Sequence, residues 1–250
     1  MRAALRWLLL GVIAALALQV FFLVRIALAA TMDPQSTTFQ RSEAWRVTTT
    51  KGKLRWRQQW ADYEEISDHL KRAVIASEDG GFTNHEGVDW EAVEKAWQRN
   101  SEAEEKAARQ RPKPATKPAS PTAPARAPRI YGGSTITQQL AKNLLLSGER
   151  TLLRKGQEFV LTFALEKMLS KERILEIYLN SVEWGEGVFG AEAAAQHYYR
   201  KSASRLTAYE AARLAVMLPR PKYFEKLPNS GYLASRASTI VARMQGAVLP

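Results

Sequence analysis

The sequence predicts an all-α protein, with one N-terminal transmembrane helix followed by a mostly helical domain. Two observations carry this prediction. A long apolar stretch lies near the N-terminus, and apolar residues recur at helical spacing behind capping residues from Glu65 to Leu218. Neither a convincing strand pattern nor an internal repeat interrupts this series. We therefore expect about eight to ten short helices in the domain that follows the apolar stretch.

The apolar stretch has the length of a membrane span. Residues 7–24 read WLLLGVIAALALQVFFLV, with Gln19 as the only polar residue. A helix of this length reaches roughly 27 Å, close to the ~30 Å of a hydrocarbon core. Arg2 and Arg6 favour a cytoplasmic N-terminus and an exported body. A cleaved signal peptide is the alternative, because Ala27-Leu28-Ala29 matches a small-residue cleavage site, but the apolar core is longer than usual for one.

Four segments are predicted along the chain. They are a cytoplasmic tail at 1–6, a transmembrane anchor at 7–30, a juxtamembrane segment at 31–60 and a folded domain at 61–250. The juxtamembrane segment interleaves tryptophan with arginine and lysine, which suits either a lipid headgroup interface or a leader packed on the domain. Within the domain, residues 101–128 are rich in lysine, alanine and proline and are predicted to be a flexible insertion.

Composition excludes some chemistries and leaves others open. The chain has no cysteine, so it has no disulfide framework, thiolate nucleophile or cysteine-ligated metal. Its three histidines are too scattered to indicate a zinc site. The net charge of +11 indicates an anionic neighbour, which is a nucleic acid, a membrane surface or a phosphate-bearing substrate. Composition alone does not choose among the three.

An acidic pair, Glu78-Asp79, ends a predicted apolar helix and precedes Gly80-Gly81. The helix dipole disfavours negative charge at that end by about 0.3–1 kcal/mol per group. A carboxylate disfavoured in this way, among apolar neighbours, has a raised pKa, as a general base near neutrality requires. Taken alone, a solvated acidic turn is the simpler explanation of the pair.

A polar helix face follows the second glycine pair of the chain. Gln138 with Lys142, and Gln139 with Asn143, are spaced i,i+4 behind a predicted helix start at Thr135. Glycines, hydroxyl groups and a lysine near a helix N-terminus suit a phosphate or pyrophosphate group. The spacing of a nucleotide P-loop is absent, so on this evidence the cluster is only a weak indication of anion binding.

A third cluster lies on the next predicted helix. Arg154 and Glu158 are one turn apart, with Lys155 beside them. An exposed ion pair at this spacing is common and contributes little to stability. The functional alternative makes Glu158 a second carboxylate of the site, held by Arg154.

Together these clusters resemble the ordered motifs of the peptidoglycan glycosyltransferases, glycosyltransferase family 51. The matching segments, in chain order, are AVIASEDGGFTNHEG at 73–87, GGSTITQQLAKN at 132–143, RKGQE at 154–158, KERILEIYLN at 171–180 and GVFGAEAAAQHYY at 187–199. The resemblance spans roughly residues 60–225, and five motifs in order make it specific. We expect the monofunctional biosynthetic transglycosylases of this family, since the sequence given leaves no transpeptidase domain after Pro250.

The resemblance implies a lysozyme-like helical fold and the polymerisation of lipid II into β-1,4 glycan strands, with release of undecaprenyl pyrophosphate. It makes Glu78 the general base and Glu158 the second catalytic carboxylate. The substrate-binding positions that it implies are Asp79, Phe82, His85, Thr135, Gln139, Lys142, Asn143, Arg154 and Lys155. Residues 101–128 depart from the family by lengthening a connection that its members keep mobile, and Gly80-Gly81 is unusually bare before Phe82.

The resemblance also implies cofactors, partners and location. No cofactor is required, and Mg²⁺ or Mn²⁺ is an optional ion at Glu158. The expected partners are lipid II, the growing glycan strand, the bacterial inner membrane and proteins of cell-wall synthesis or division, without nucleic acid. The expected location is a single pass of the inner membrane with the catalytic domain in the periplasm. Two rival functions remain: a lysozyme-like lytic transglycosylase and a non-catalytic anchored scaffold.

Overall fold

The computed structural model describes residues 2–109, 133–146, 148–149 and 151–250. The described residues form eleven α-helices, which confirms the predicted helical fold class. In chain order they are α1 (Arg2–Ala29), α2 (Thr38–Lys51), α3 (Asp68–Glu78), α4 (Trp90–Arg109), α5 (Ile136–Leu145), α6 (Leu152–Met168), α7 (Lys171–Ser181), α8 (Ala191–Tyr199), α9 (Ala208–Met217), α10 (Pro221–Phe224) and α11 (Gly231–Met244). Nine of them, α3–α11, fall in the predicted domain, within the expected number.

Three short strands form a small sheet, where the sequence pattern predicted none. They are β1 (Arg57–Gln58), β2 (Glu183–Gly185) and β3 (Val188–Phe189), in the order β1-β3-β2. β1 pairs parallel with β3, and β2 pairs antiparallel with it. Runs of two or three residues are too short for the alternation of apolar and polar residues that identifies a strand. The prediction of a domain without strands is therefore corrected.

Two compact units divide the chain. One comprises Met1–Val88 with Thr135–Pro250, and the other comprises Asp89–Ser134. In the first unit α9 packs between α3 and α11, while α5 packs against α2, α6 and α7. Its largest fully buried side chains include Leu70 of α3, Leu140 of α5, Tyr178 of α7 and Trp184 of β2. This core holds α3, α5 and α7 beside one another, and the polar residues at their ends meet there.

α1 is long and apolar enough to cross a membrane, with a mean hydropathy of 2.6 over its best window. A signal sequence near an N-terminus passes the same test of length and composition. Most of α1 is exposed, but Phe22, Ile26 and Ala29 are buried in the core of the first unit. Arg173 of α7 donates hydrogen bonds from Nε to the Ala29 carbonyl (2.9 Å) and from Nη2 to the Asp33 carboxylate (2.8 Å).

The predicted juxtamembrane segment is part of the first unit. Thr37 caps α2 by a capping box with Gln40, and α2 packs on α5. β1 also falls within this segment, and the Arg57 N–H donates a hydrogen bond to the Gly187 carbonyl (2.8 Å) beside the pairing of β1 with β3. Of the two alternatives for residues 31–60, the structure favours a leader packed on the domain. Residues before 61 thus contact elements of the predicted domain, through α2 and β1.

α4 belongs to the second unit. Asp89 caps its start, where the Asp89 carboxylate accepts a hydrogen bond from the Ala92 N–H (2.8 Å). The helix continues through residues 101–109, where the sequence predicted the start of a flexible insertion. This correction follows from alanine, glutamate and lysine, which favour helix, while the first proline of the insertion comes only at Pro112. The rest of the predicted insertion, 110–128, lies outside the described residues.

Candidate active site

A cleft of about 540 Å³ lies where the ends of α2, α3, α5 and α6 converge beside α7. Five of the predicted site residues line it. They are Glu78, Gln139, Lys142, Asn143 and Arg154. They come from three motifs that are up to 76 positions apart in the sequence, since Glu78 and Arg154 are the extremes (154 − 78 = 76). The fold therefore brings the acidic pair, the polar helix face and the cationic cluster to one cavity.

Glu78 is the last residue of α3 and is half-buried at the cleft. Its Oε2 accepts a hydrogen bond from Gln139 Nε2 (3.0 Å), and Gln139 Oε1 accepts one from the Tyr178 hydroxyl (3.1 Å). Burial raises the pKa of Glu78, and the neighbouring Asp79 charge adds to the rise. The Gln139 bond and the Lys142 charge oppose it. The side chain is thus oriented by a neutral chain of hydrogen bonds and favours proton uptake.

Asp79 is buried and does not line the cleft. Its Oδ1 lies 2.9 Å from His85 Nε2, and its Oδ2 accepts a hydrogen bond from the Ile136 N–H (3.0 Å) at the start of α5. His85 Nδ1 accepts from the Gly87 N–H (3.1 Å), so the hydrogen-bond pattern assigns the ring proton to Nε2. Both histidine nitrogens are therefore used within the protein. The structure places Asp79 and His85 as supports of the loop.

Phe82 is fully buried beneath the same loop. The ammonium group of Lys171 lies 4.6 Å from the centre of the Phe82 ring and donates a hydrogen bond to the His85 carbonyl (2.6 Å). Lys171 also pairs with Glu166 (2.8 Å), which accepts a further bond from the Thr137 hydroxyl (2.6 Å). No pattern in the sequence indicated a role for Lys171 or Glu166, although Lys171 is the first residue of the fourth motif.

Thr135 caps α5 and also binds the end of the loop that follows Glu78, at Gly87. Its Oγ1 donates a hydrogen bond to the Gly87 carbonyl (2.6 Å) and accepts one from the Gln138 N–H (3.1 Å). Gly87 has a φ of 87°, and an added Cβ would lie 2.7 Å from the Thr162 methyl group. A side chain at this position is therefore excluded both by backbone conformation and by space.

Four of the residues predicted to bind substrate do not line the cleft, and for them direct contact with substrate stays a prediction. Asp79, Phe82 and Thr135 are buried, His85 is nearly so, and none of the four lines the cleft. Their polar atoms are used in hydrogen bonds within the protein, as described above. Sequence motifs record that a residue is needed at a position, but they do not separate a residue that touches substrate from one that shapes the site.

The third cluster lies on the first turns of α6. Glu158 is buried, its Oε2 accepts a hydrogen bond from Arg154 Nη1 (3.0 Å) and its Oε1 accepts one from Lys155 Nζ (2.5 Å). Arg154 reaches the cleft, and its buried Nε has no hydrogen-bond partner among the described residues. The guanidinium group puts a positive charge at the cleft, and this charge suits an anionic ligand. Glu158 itself does not line the cleft and acts on it through Arg154.

A divalent cation does not fit at Glu158. Both of its carboxylate oxygens already accept hydrogen bonds from cationic side chains, Arg154 and Lys155. A metal ion would need those oxygens and would lie beside two positive charges. Among the residues that the structure describes, no group of three histidine, aspartate or glutamate side chains lies close enough to bind a metal ion.

Two residues that line the cleft were not predicted as site residues from the sequence. Tyr178 of α7 is fully buried, and its hydroxyl group donates the hydrogen bond that orients Gln139. Glu183 of β2 is buried, and burial raises its pKa to about 7. Its Oε1 lies 3.2 Å from Lys222 Nζ, and Lys222 also pairs with Glu43 of α2. A lone glutamate behind an apolar helix carries no pattern that would have identified it.

The fold and the cleft together define a class of protein. A helical domain behind a long apolar helix presents Glu78, a carboxyl group of raised pKa, in one cleft with Arg154 and Lys142. This arrangement suits an enzyme that removes a proton from a nucleophile while an anionic group departs.

Comparison with known proteins identifies the family. The transglycosylase family model matches residues 46–109 and 121–245. The biosynthetic peptidoglycan transglycosylase of Burkholderia thailandensis is 49% identical over 253 residues, covering 100% of this chain and 90% of the relative. Its namesake in Paraburkholderia phytofirmans is 48% identical, covering 98% of this chain and 94% of the relative. The chain therefore belongs to the transglycosylase family, and the predicted family and class of enzyme are confirmed.

Proposed function

We propose that this chain is a peptidoglycan glycosyltransferase that polymerises lipid II into β-1,4-linked glycan strands in bacterial cell-wall synthesis. One observation carries the proposal: the Glu78 carboxyl group, whose pKa is raised, shares a cleft with Arg154 and Lys142. Polymerisation of lipid II requires both a base and nearby cations, because a sugar hydroxyl group must lose a proton while a pyrophosphate departs. The names of the relatives support the same substrate class.

In the proposed reaction Glu78 accepts the proton of the 4-hydroxyl group of the acceptor sugar. That oxygen forms a bond to the anomeric carbon of the donor, and the bond from this carbon to the pyrophosphate oxygen breaks. The donor is α-linked and the product is β-linked, so a single displacement with inversion suffices. The raised pKa makes Glu78 a stronger base than an ordinary glutamate, and Gln139 holds its carboxylate in place.

The departing pyrophosphate gains negative charge in the transition state. Arg154 lines the cleft and can meet it with the positive charge of its guanidinium group, while its Nη1 is held by Glu158. Lys142 lies in the same cleft and adds positive charge, with Lys155 beside Glu158. Fixed cations of this kind stabilise developing charge more than they stabilise the bound substrate. We propose that the reaction proceeds without a metal ion at Glu158, because its oxygens serve these cations.

The proposed location is a single pass of the bacterial inner membrane, with the catalytic domain in the periplasm. Arg2 and Arg6 before the apolar helix support this orientation. Phe22 and Ile26 are buried in the core of the first unit, which supports a retained anchor over a cleaved signal peptide. An anchored enzyme stays beside a lipid-linked substrate. Partners among the proteins of cell-wall synthesis and division remain a prediction.

The test is polymerisation of purified lipid II by the full chain. Glu78→Gln is expected to reduce the rate by at least about 100-fold, in the range of general base catalysis. Glu86→Gln is the matched control, because Glu86 is an exposed glutamate of the same loop and its loss should leave the rate unchanged. A Glu78→Gln enzyme with the wild-type rate would refute the proposal.

Further experiments distinguish the proposed function from the two rival functions, a lytic transglycosylase and a scaffold. Arg154→Met should slow polymerisation far more than Arg243→Met, which removes an equal charge from an exposed turn of α11. A lytic transglycosylase would instead release muropeptides from isolated sacculi, and a scaffold would keep its cellular function after Glu78→Ala. Either of those results would favour the corresponding rival.

A further inference from the structure

Two glutamine side chains join the anchor helix to the helix that carries the cationic cluster. Gln19 Nε2 donates to Gln157 Oε1 (2.8 Å), and Gln157 Nε2 donates to Gln19 Oε1 (2.9 Å). The two residues are 138 positions apart in the sequence. Each amide thus gives and receives one hydrogen bond, which fixes the orientation of both side chains. Gln19 is also the only polar residue between Trp7 and Val24.

Gln19 lies on the one face of α1 that contacts the domain. It is partly buried, and Phe22, Ile26 and Ala29 follow it as buried residues three, seven and ten positions on. This spacing forms a single stripe along a helix. Gln19 is ten residues before the end of α1, roughly 15 Å along its axis. An amide at such a depth in a bilayer is strongly unfavourable without a partner, and Gln157 supplies that partner.

Apart from this pair, side chains in the first turns of α6 are largely exposed. Leu152 and Leu153 are 92% and 88% exposed, and the buried residues of α6 begin only at Glu158. Gln157 immediately precedes Glu158, which in turn holds Arg154 by a 3.0 Å hydrogen bond. The Gln19–Gln157 pair therefore joins α6 to α1 one residue before the glutamate that holds the cleft arginine.

We propose that Gln19 and Gln157 are positioning residues, through which the transmembrane helix sets the placement of Arg154 at the active site. Loss of the pair lets the first turns of α6 shift against α1, and Arg154 shifts with them. This inference rests on the proposed function, because it assigns Arg154 to the departing pyrophosphate. A small displacement of such a group is costly, since charge stabilisation depends on preorganised geometry.

Leucine variants distinguish a role in positioning Arg154 from a contact that only holds α1 and α6 together. Gln19→Leu and Gln157→Leu are each expected to lower kcat for lipid II polymerisation about tenfold, with KM changed less than about twofold. The double variant Gln19→Leu/Gln157→Leu leaves no amide unpaired and keeps an apolar contact of similar size. It should unfold at the wild-type temperature and still be slow, because leucine provides no directed bond. A double variant with the wild-type kcat would overturn the proposal.

The absence of cysteine from the sequence allows a reversible rescue. Gln19→Cys/Gln157→Cys should be slow when reduced. A membrane-permeable bis-methanethiosulfonate crosslinker, which forms a disulfide with each cysteine and releases methanesulfinate, should restore kcat when its length is about that of two glutamine side chains, and reduction of the disulfides should abolish the gain. Leu18→Cys/Gln157→Cys is the control, because Leu18 is about half exposed on the neighbouring face of α1 and should give little crosslink. Equal crosslinking of both pairs, or crosslinking without rescue, would contradict the proposal.

A failure of the proposed function can be distinguished from a failure of the positioning role. The crosslink yield is measured on a gel and reports the α1–α6 geometry without any assay of activity. If wild-type protein fails to polymerise lipid II while the Gln19→Cys/Gln157→Cys pair crosslinks, the proposed function fails and the helix contact stands. If wild-type protein is active and the leucine variants equal it per folded molecule, only the positioning role is refuted.

Discussion

The Asp79 carboxylate accepts a 3.0 Å hydrogen bond from the Ile136 N–H, which fastens the C-terminal end of α3 to the N-terminal end of α5. Glu78 precedes Asp79, and Gln139, which binds Glu78, lies three residues after Ile136. One buried carboxylate thus sets the distance between the proposed base and the amide that orients it. The negative charge of Asp79 also suits the positive end of the α5 dipole.

Asp79→Ala should therefore impair both folding and catalysis. The change leaves the Ile136 N–H and the His85 ring without their partner, and a buried unpaired donor costs about 1–3 kcal/mol. We expect a comparable loss in the free energy of unfolding by urea, together with a lower kcat per folded molecule. Glu86→Ala, an exposed change in the same loop, is the control. A normal kcat in folded Asp79→Ala enzyme would show that the α3–α5 bond does not position Glu78.

The raised pKa of Glu78 predicts a pH dependence of activity and of stability. The base must be ionised, so the rate should rise with pH through a pKa above the ordinary glutamate range. Stability should move the other way, because a group with a raised folded pKa stabilises the fold below its unfolded pKa and loses this as pH rises through the folded pKa.

Glu78→Gln should consequently be inactive and yet more stable than the wild type in alkaline buffer, with little difference in acid. Urea unfolding at both extremes of pH measures this. A variant less stable than the wild type in alkaline buffer would show that the ionised carboxylate is not disfavoured in the folded protein.

Glu183 gives a second pH prediction, with a defined window. Burial raises its pKa from 4.5 to about 7, opposed by Lys222 and Arg46 and supported by Glu43. The protonated form stabilises the fold below pH 4.5, and the contribution is lost as pH rises to about 7. Since one pKa unit corresponds to about 1.4 kcal/mol, Glu183→Gln should flatten the decline in unfolding free energy across this window by at least about 1 kcal/mol. An unchanged slope would contradict the raised pKa.

A side chain at position 187 is expected to destabilise the fold. Its φ is 72°, and an added Cβ would lie 1.9 Å from the Arg55 carbonyl oxygen, next to the pairing of β1 with β3. Gly187→Ala should destabilise the protein by more than about 2 kcal/mol, because both the conformation and the space exclude a side chain. Gly231→Ala is the matched control, since an added Cβ there meets nothing within 4 Å. Equal thermal unfolding midpoints for both variants would refute the prediction.

Much of the fold and site follows from the sequence, and the remainder has physical reasons. Helices were predictable because capping residues such as Thr135 and Thr207 precede apolar periodicity. The contact between Glu78 and Gln139 was not, because it joins positions 61 apart and depends on how α3 and α5 pack. The strands escaped because two-residue pairings have no periodicity. Phe82 was assigned to the substrate because a motif does not encode whether a side chain faces the cleft or the core.

The hydrogen bond between Thr135 Oγ1 and the Gly87 carbonyl joins positions 48 apart in the sequence. It brings the two ends of the intervening segment together beside the loop that carries Glu78. Because the entropy of closing a loop grows only slowly with its length, this closure point makes the segment tolerant of inserted or deleted residues. The stretch between the two residues therefore offers a place to graft a peptide tag without displacing the loop that carries Glu78.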